Sequence, residues 1–299
     1  MKILVTGGLG FVGSNLVDYL RDKEDHDVTV IDNLCSESSS RSYMRDDVEY
    51  WVEDVRNINK AKYANHKFDV VYHLAALARI QPSFKDPLTY LSIDIMGTAE
   101  VCEYARSCGA RLVYAGSSSA YAGHFLNPYA FAKYTGEQVC QLYHKVYGMS
   151  MVAARFFNVY GRRQPTTGAY ATVIGIFEDR TQHGLPLTIT DDGEQRRDFT
   201  HVDDIVRGFA ELGKRDWHES NGLPIFNLGT GANHSINELA DMFGGEKVYF
   251  PKRPGEARHT LADISLMLQW TDWEPTKSLS EYVAEFLATQ KERANDRTN

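Results

Sequence analysis

The sequence predicts an α/β chain in which a doubly wound parallel sheet is followed by a smaller α/β lobe. Two observations carry this expectation. The first half alternates short β-branched runs with longer helical patterns, as βαβ units of a parallel sheet do. From about Asn158 the texture changes to shorter elements separated by stretches rich in Gly, Pro and Thr.

Residues 3–5 (Ile-Leu-Val) read as the first strand, 11–21 as the helix after it, and 28–31 as the second strand. Residues 70–73 and 112–115 read as two more strands, separated by a helical pattern over 87–108. Pro128 sits at the first turn of a further helix, where a missing N–H costs nothing, and the strand 151–155 follows. Beyond the loop 161–168, the sequence predicts a helix at 171–181, a strand at 187–189, small second-lobe elements at 225–228, 235–243 and 247–250, and a terminal helix at 278–291. We divide the chain into residues 1–158, with a return to that domain around 198–230, and a second lobe over 159–299.

Composition narrows the function classes. Hydrophobic residues at 43% and charged residues at 24% describe an ordinary globular chain. A net charge of −8 argues against nucleic acid as a partner. No apolar run is long enough for a membrane span. The four cysteines show neither CxxC nor metal-ligand spacing, and the chain begins on an apolar strand with no basic-then-apolar leader. A reduced, cytoplasmic setting without a metal is the expectation.

The segment Thr6-Gly7-Gly8-Leu9-Gly10-Phe11-Val12-Gly13 places glycines directly after a strand and at the opening of a helix. Gly7 permits the tight turn, Gly10 lets backbone approach a pyrophosphate, and Gly13 lets helix pack on strand. Asp32 follows Gly13 by nineteen residues, at the end of the next strand. An acid there accepts from ribose hydroxyls and repels a 2′-phosphate, so NAD is expected rather than NADP. Asp54, beside Val55, is placed to accept from the adenine amino group. Leu74-Ala75-Ala76 offer small side chains for the cofactor to lie against, and the preceding His73 reads as a buried structural histidine.

Tyr129 and Lys133 lie four apart on one helix, just after Ser117-Ser118-Ser119. An ammonium under the Tyr ring, together with an oxidised nicotinamide, would lower the phenol's pKa and make it a general base. A second YxxxK, Tyr63 with Lys67, precedes a strand instead of following a serine-ended one. Position favours Tyr129.

Together with Asp32-Asn33-Leu34, Arg155-Phe156-Phe157-Asn158-Val159-Tyr160-Gly161, Gln195-Arg196-Arg197-Asp198-Phe199, Phe226-Asn227-Leu228-Gly229-Thr230-Gly231 and Arg253-Pro254-Gly255-Glu256, these motifs resemble the extended short-chain dehydrogenases/reductases. More narrowly, they resemble the NAD-dependent nucleotide-sugar epimerases and dehydratases, with their Rossmann-type sheet. The resemblance implies Tyr129 as catalytic base and acid, Lys133 as its partner on the nicotinamide ribose, and Ser117 as the third member, with Ser118 as the fallback. It implies Asn158, Arg197 and Arg253 around a nucleotide diphosphate. It also implies a homodimer through two long helices, near 87–108 and 128–147.

Relatives that dehydrate carry Asp-Glu after their Ser/Thr, and those that decarboxylate carry Glu one position further. Here both places are serine, Ser118 and Ser119. No cysteine of the reductase or 3,5-epimerase kind lies in this loop. What remains is 4-epimerisation of a UDP-hexose or UDP-N-acetylhexosamine. The alternatives are a dehydratase, decarboxylase or reductase, or a non-catalytic NAD sensor. Four departures stand out. Asp94 replaces the usual Asn, an acid that would alter nicotinamide binding. Ala78 stands where some 4-epimerases of the resembled family have a Lys near the sugar and cofactor. Only eleven residues separate Ser117 from Tyr129, which predicts a more open sugar pocket, a larger sugar or contacts from a partner subunit. Thr260 matches a position where, by the resemblance, a bulky aromatic in some relatives excludes N-acetyl sugars.

Overall fold

The computed structural model describes residues 1–36, 39–60, 62–63, 65–218 and 221–298. Strand β1 (Lys2–Thr6) enters helix α1 (Phe11–Asp22) through the glycine turn, and β2 (Asp27–Asp32) and β3 (Glu49–Val52) complete a first winding. Strand β4 (Val70–His73) leads through α2 (Ile80–Lys85), α3 (Pro87–Leu91), a π-helical turn (Ser92–Met96) and α4 (Gly97–Cys108) to β5 (Arg111–Ser117). One turn, α5 (Ser119–Ala122), and the long α6 (Pro128–Tyr147) precede β6 (Met151–Phe156). The rest supplies β7 (Val159–Tyr160), α7 (Val173–Gln182), β8 (Leu187–Thr190), β9 (Arg196–Arg197), β10 (Thr200–His201) and α8 (Val202–Leu212). It then adds β11 (Ile225–Leu228), β12 (His234–Ser235), α9 (Ile236–Phe243), β13 (Lys247–Phe250), α10 (Ser265–Trp270) and α11 (Leu279–Thr298).

Seven parallel strands form one sheet in the order β11-β6-β5-β4-β1-β2-β3, the doubly wound Rossmann-type α/β arrangement. The order reverses between β1 and β4, and ligands of such sheets bind where it does, beyond the carboxyl ends of the strands. Both faces are covered, which is why the strands are almost continuously apolar. Ile3, Val5, Leu16 and Phe209 pack on the α1/α8 face. Leu4, Ile31, Tyr104 and Cys140 pack on the α4/α6 face. Each fully buried Leu or Phe contributes about 1.5–3 kcal/mol.

Two sequence expectations change. Residues 225–228, read both as a small second-lobe element and as part of a return to the first domain around 198–230, join the main sheet: β11 pairs with β6 from Ile225↔Ala153 to Leu228↔Phe156. Four alternating residues fit any sheet edge. Their place is decided by α8, which brings Val202, Ile205 and Phe209 into the main core and returns the chain to the sheet. The helical pattern over 87–108 is interrupted by the π-helical turn, where Thr98 Oγ1 donates to Asp94 O (2.6 Å) and Leu77 N donates to Asp94 Oδ1 (2.8 Å). Such an insertion leaves the apolar spacing largely intact.

The smaller pairings β7–β10 and β8–β13 are parallel, and β9–β12 is antiparallel. A separate core of Ile174, Phe177, Leu187, Leu239, Phe243 and Val283 supports them. Among the described residues no helix is long and apolar enough to cross a membrane.

Candidate active site

A cavity of about 970 Å³ opens over the carboxyl ends of β1, β4 and β5. It runs from Gly7, Gly10, Phe11, Val12 and Gly13, past Leu74, Ala75 and Ala76, to Ser117, Ser118, Tyr129 and Lys133, and on to Asn158, Arg197 and Arg253. Asp32, Asn33, Asp54 and Val55 also line it. The structure therefore brings every site residue singled out in the sequence to one cavity.

At the first end, Gly7 adopts φ +73°, and a Cβ there would stand 2.7 Å from Ala75 N. A Cβ on Gly13 would meet Gly7 O at 2.1 Å. Both approaches demand glycine. Asp32 is held by Leu9 N (3.0 Å to Oδ2) and Leu34 N (2.8 Å to Oδ1), leaving each oxygen a further lone pair for a ribose hydroxyl. Asp54 is more fully engaged. Arg56 N and Nε donate to its Oδ1, and Arg56 Nη2 and Asn33 Nδ2 to its Oδ2. Arg56 keeps this carboxyl below the ordinary range. An adenine amino group reaches Asp54 only by displacing one of these donors.

In the middle, Tyr129 Oη donates to Ser117 Oγ at 3.2 Å, and Ser117 Oγ also accepts from Ser119 N at 3.2 Å. Asn127 caps the helix by accepting from Ala130 N (2.7 Å), with Pro128 in the first turn. This fixes where Tyr129 and Lys133 emerge. The expected ring contact is different, however. Lys133 Nζ stands 4.8 Å from the centroid of Tyr114, not beneath Tyr129. The reason is geometric: β5 lies directly against α6 and presents the Tyr114 ring, whose Oη donates to Lys133 O (3.2 Å).

Charge follows this arrangement. Burial raises the Tyr129 pKa, while the Ser117 hydrogen bond and the Arg79 guanidinium oppose the rise. Within the protein, the cation acting on the phenol is therefore Arg79, which the sequence did not single out. Burial lowers the Lys133 pKa, and Asp94 and Glu137 counter it. Asp94 itself is pushed up to about 7 by burial. It is buried and does not line the cavity, its Oδ1 accepting from Leu77 N, and its charge acts on Lys133. His73 is buried between Thr6 Oγ1 (2.7 Å) and Thr98 Oγ1 (3.0 Å), and burial drops its pKa to about 3. It is neutral and structural.

At the far end, Asp198 is fully buried and accepts from Thr230 N, Gly231 N and Ala262 N at 2.9–3.1 Å. This tie fixes the neighbouring Arg197. Asn158 Nδ2 donates to Asp198 O (3.0 Å) and Thr260 Oγ1 (3.1 Å), linking the β6 end to the same cluster. Arg253 lies on an exposed loop at the rim.

Sequence reasoning passed over Glu137 and Arg79. Glu137 is four residues after Lys133 on the same helical face, and it pairs with Arg155 at 2.6 Å beneath β5. That spacing was a readable signal. Arg79 had none, since a lone arginine after a strand is commonplace.

Residues 3–229 match the NAD dependent epimerase/dehydratase family. The chain is 33% identical to a putative UDP-glucose 4-epimerase of Methanocaldococcus jannaschii, over 99% of this chain and 100% of that one. Among solved structures it is similar to the UDP-glucose 4-epimerase of Thermotoga maritima with UDP-glucose, with TM-score 0.88, 28% identity, and 97% and 99% of the two chains covered. It is also similar to the UDP-glucuronic acid 4-epimerase of Bacillus cereus in complex with UDP-glucuronic acid and NAD, with TM-score 0.86, 29% identity, and 98% and 99% covered. A glycine turn at a strand–helix junction of the dinucleotide-binding kind, a Ser/Tyr/Lys set beyond it and this similarity across the whole length agree: the chain belongs to the NAD-dependent epimerase/dehydratase family, of the extended short-chain dehydrogenase/reductase type, and NAD is its cofactor.

Proposed function

We propose that this protein epimerises a nucleotide-sugar at carbon 4, the substrate being a UDP-hexose or UDP-N-acetylhexosamine. The observation that carries the reading is the Tyr129–Ser117 hydrogen bond midway along a cavity that has a glycine turn with Asp32 at one end and Arg197 with Arg253 at the other. Bound NAD supplies what the side chains lack, an acceptor and later a donor of hydride at carbon 4. In this reading Gly7 to Gly13, Asp32, Asn33, Val55, Leu74 to Ala76 and Lys133 hold it.

Tyr129 takes the proton of the 4-hydroxyl and later returns it. Ser117 keeps the phenol aimed and shares the proton on the substrate oxygen. Arg79 opposes the rise in the Tyr129 pKa, and a positive nicotinamide bound beside it would lower that pKa further. Arg197 and Arg253 hold the diphosphate through permanently charged forks, so the 4-keto sugar can turn while its nucleotide stays anchored. Ser118 and Ser119 bring no carboxylate next to Ser117 for elimination or decarboxylation. The small Thr260 at the cavity wall supports room for an N-acetyl group.

We further propose a homodimer of the cytoplasm. Support comes from Leu88, Met96, Leu142, Val146 and Tyr147, large apolar side chains left exposed on the 87–108 and 128–147 helical segments. For the cytoplasm, support comes from four cysteines with neither CxxC nor metal-ligand spacing. Incubation with UDP- and GDP-sugars, with isomers resolved chromatographically, tests the activity. The expected product is an isomer of unchanged mass, and loss of water or carbon dioxide points instead to a dehydratase or decarboxylase.

A further inference from the structure

Arg79 is a cation of the cavity wall for which the described residues supply no carboxylate. Its Nε donates to Tyr170 O (2.7 Å), and among the described residues its two terminal nitrogens have no hydrogen-bond partner. The groups acting on it are burial, which works against its charge, and Tyr129, Tyr90 and Tyr170, with no carboxylate among them. Four other guanidiniums find acids: Arg155 with Glu137, Arg196 with Glu238, Arg207 with Asp204 and Arg258 with Asp192. A partly buried guanidinium with free donors is costly unless something negative meets it.

Position indicates what that is. Arg79 lines the cavity together with Tyr129, whose phenol it influences. Arg197 belongs to a different electrostatic neighbourhood, that of Glu256 and Arg258. With the diphosphate at Arg197 and Arg253, and carbon 4 of the sugar at Tyr129, Arg79 lies in the Tyr129 part of the cavity, where this arrangement puts the hexose rather than the nucleotide. A neutral hexose offers it only hydroxyls. A carboxylate on the hexose offers two oxygens in the plane that a guanidinium fork matches.

We propose that Arg79 forms an anion subsite for the sugar ring, so that the cavity selects nucleotide-sugars whose hexose carries a carboxylate. This rests on the epimerase reading above and narrows its substrate class. The narrowing comes from the unpaired charge beside Tyr129.

UDP-glucuronate and UDP-glucose differ only in carboxylate against hydroxymethyl at carbon 6, and they make the test. We expect the wild-type enzyme to favour UDP-glucuronate in kcat/KM. We expect R79Q to lower that kcat/KM about 100-fold more than it lowers the value for UDP-glucose, with R79K retaining part of the preference. Calorimetric binding of the two sugars to the NAD-loaded Y129F protein gives the same comparison without turnover. The inference is overturned if UDP-glucose is the better substrate, or if R79Q reduces both substrates equally. In the second case, an alkaline shift of the pH profile for both would make Arg79 a cation serving Tyr129 alone. If neither sugar nor any other in the panel is epimerised, yet R79Q still weakens UDP-glucuronate binding selectively, the subsite stands and the epimerase reading falls.

Discussion

Tyr129 Oη donates to Ser117 Oγ across 3.2 Å, which joins the first turn of α6 to the last residue of β5 midway along the cavity. The bond fixes the direction of the phenol, through which the proposed reaction exchanges a proton. Y129F removes only that exchange. It should lower kcat by about 10²–10⁴-fold while leaving the NAD affinity within about twofold of wild type. Steady-state rates beside a fluorescence titration with NADH measure both. Retained turnover would remove Tyr129 from the reaction.

Gly13 has no room for a methyl group, because the obstructing atom at 2.1 Å is backbone, Gly7 O. G13A therefore has to push α1 away from β1. We expect a loss of about 1–3 kcal/mol in stability and about tenfold or more in NAD affinity, read by urea unfolding and by titration. Unchanged affinity would show that the α1 N-terminus does not hold the pyrophosphate.

The first winding and its chemistry were legible because their signals are local. A strand, a glycine turn, a helix and Asp32 follow one another within a short stretch, and Pro128 marks the start of the helix that carries Tyr129 and Lys133. Placements that depend on contacts distant in sequence were not legible. Residues 225–228 join the main sheet because α8 packs beside α1, and nothing within the four residues says so. Lys133 lies over Tyr114 rather than Tyr129 because of how β5 meets α6. The importance of Arg79 lies in the lack of an acid partner, which no spacing rule reports.

Asp94 gives a pH prediction with a definite sign. Its carboxyl ionises near 3.8 when solvated and at about 7 in the fold, because of burial. The folded state thus holds more protons than the unfolded state between those values. Stability on this account falls as pH rises from about 4 to 7 and levels off above. The span corresponds to on the order of 4 kcal/mol as an upper bound. Asn keeps an oxygen for Leu77 N without the charge, so D94N should flatten the slope and exceed wild type in stability at pH 8. Urea unfolding at pH 5 and pH 8 decides, and parallel slopes in the two proteins would refute it.

The exposed Leu142 and Val146 on α6 are expected to lie in the dimer interface. L142E/V146E should convert a dimer into a monomer in light scattering with little change in circular dichroism. A wild-type monomer, or a dimer unaffected by both changes, would place the interface elsewhere or nowhere.

The most direct measurement follows a deuterium placed at carbon 4 of the nucleotide-sugar that the enzyme turns over. Reversible oxidation at that carbon predicts a 4-epimer of identical mass with the label still on carbon 4. Deuterium released to solvent, or a lighter product, would contradict it.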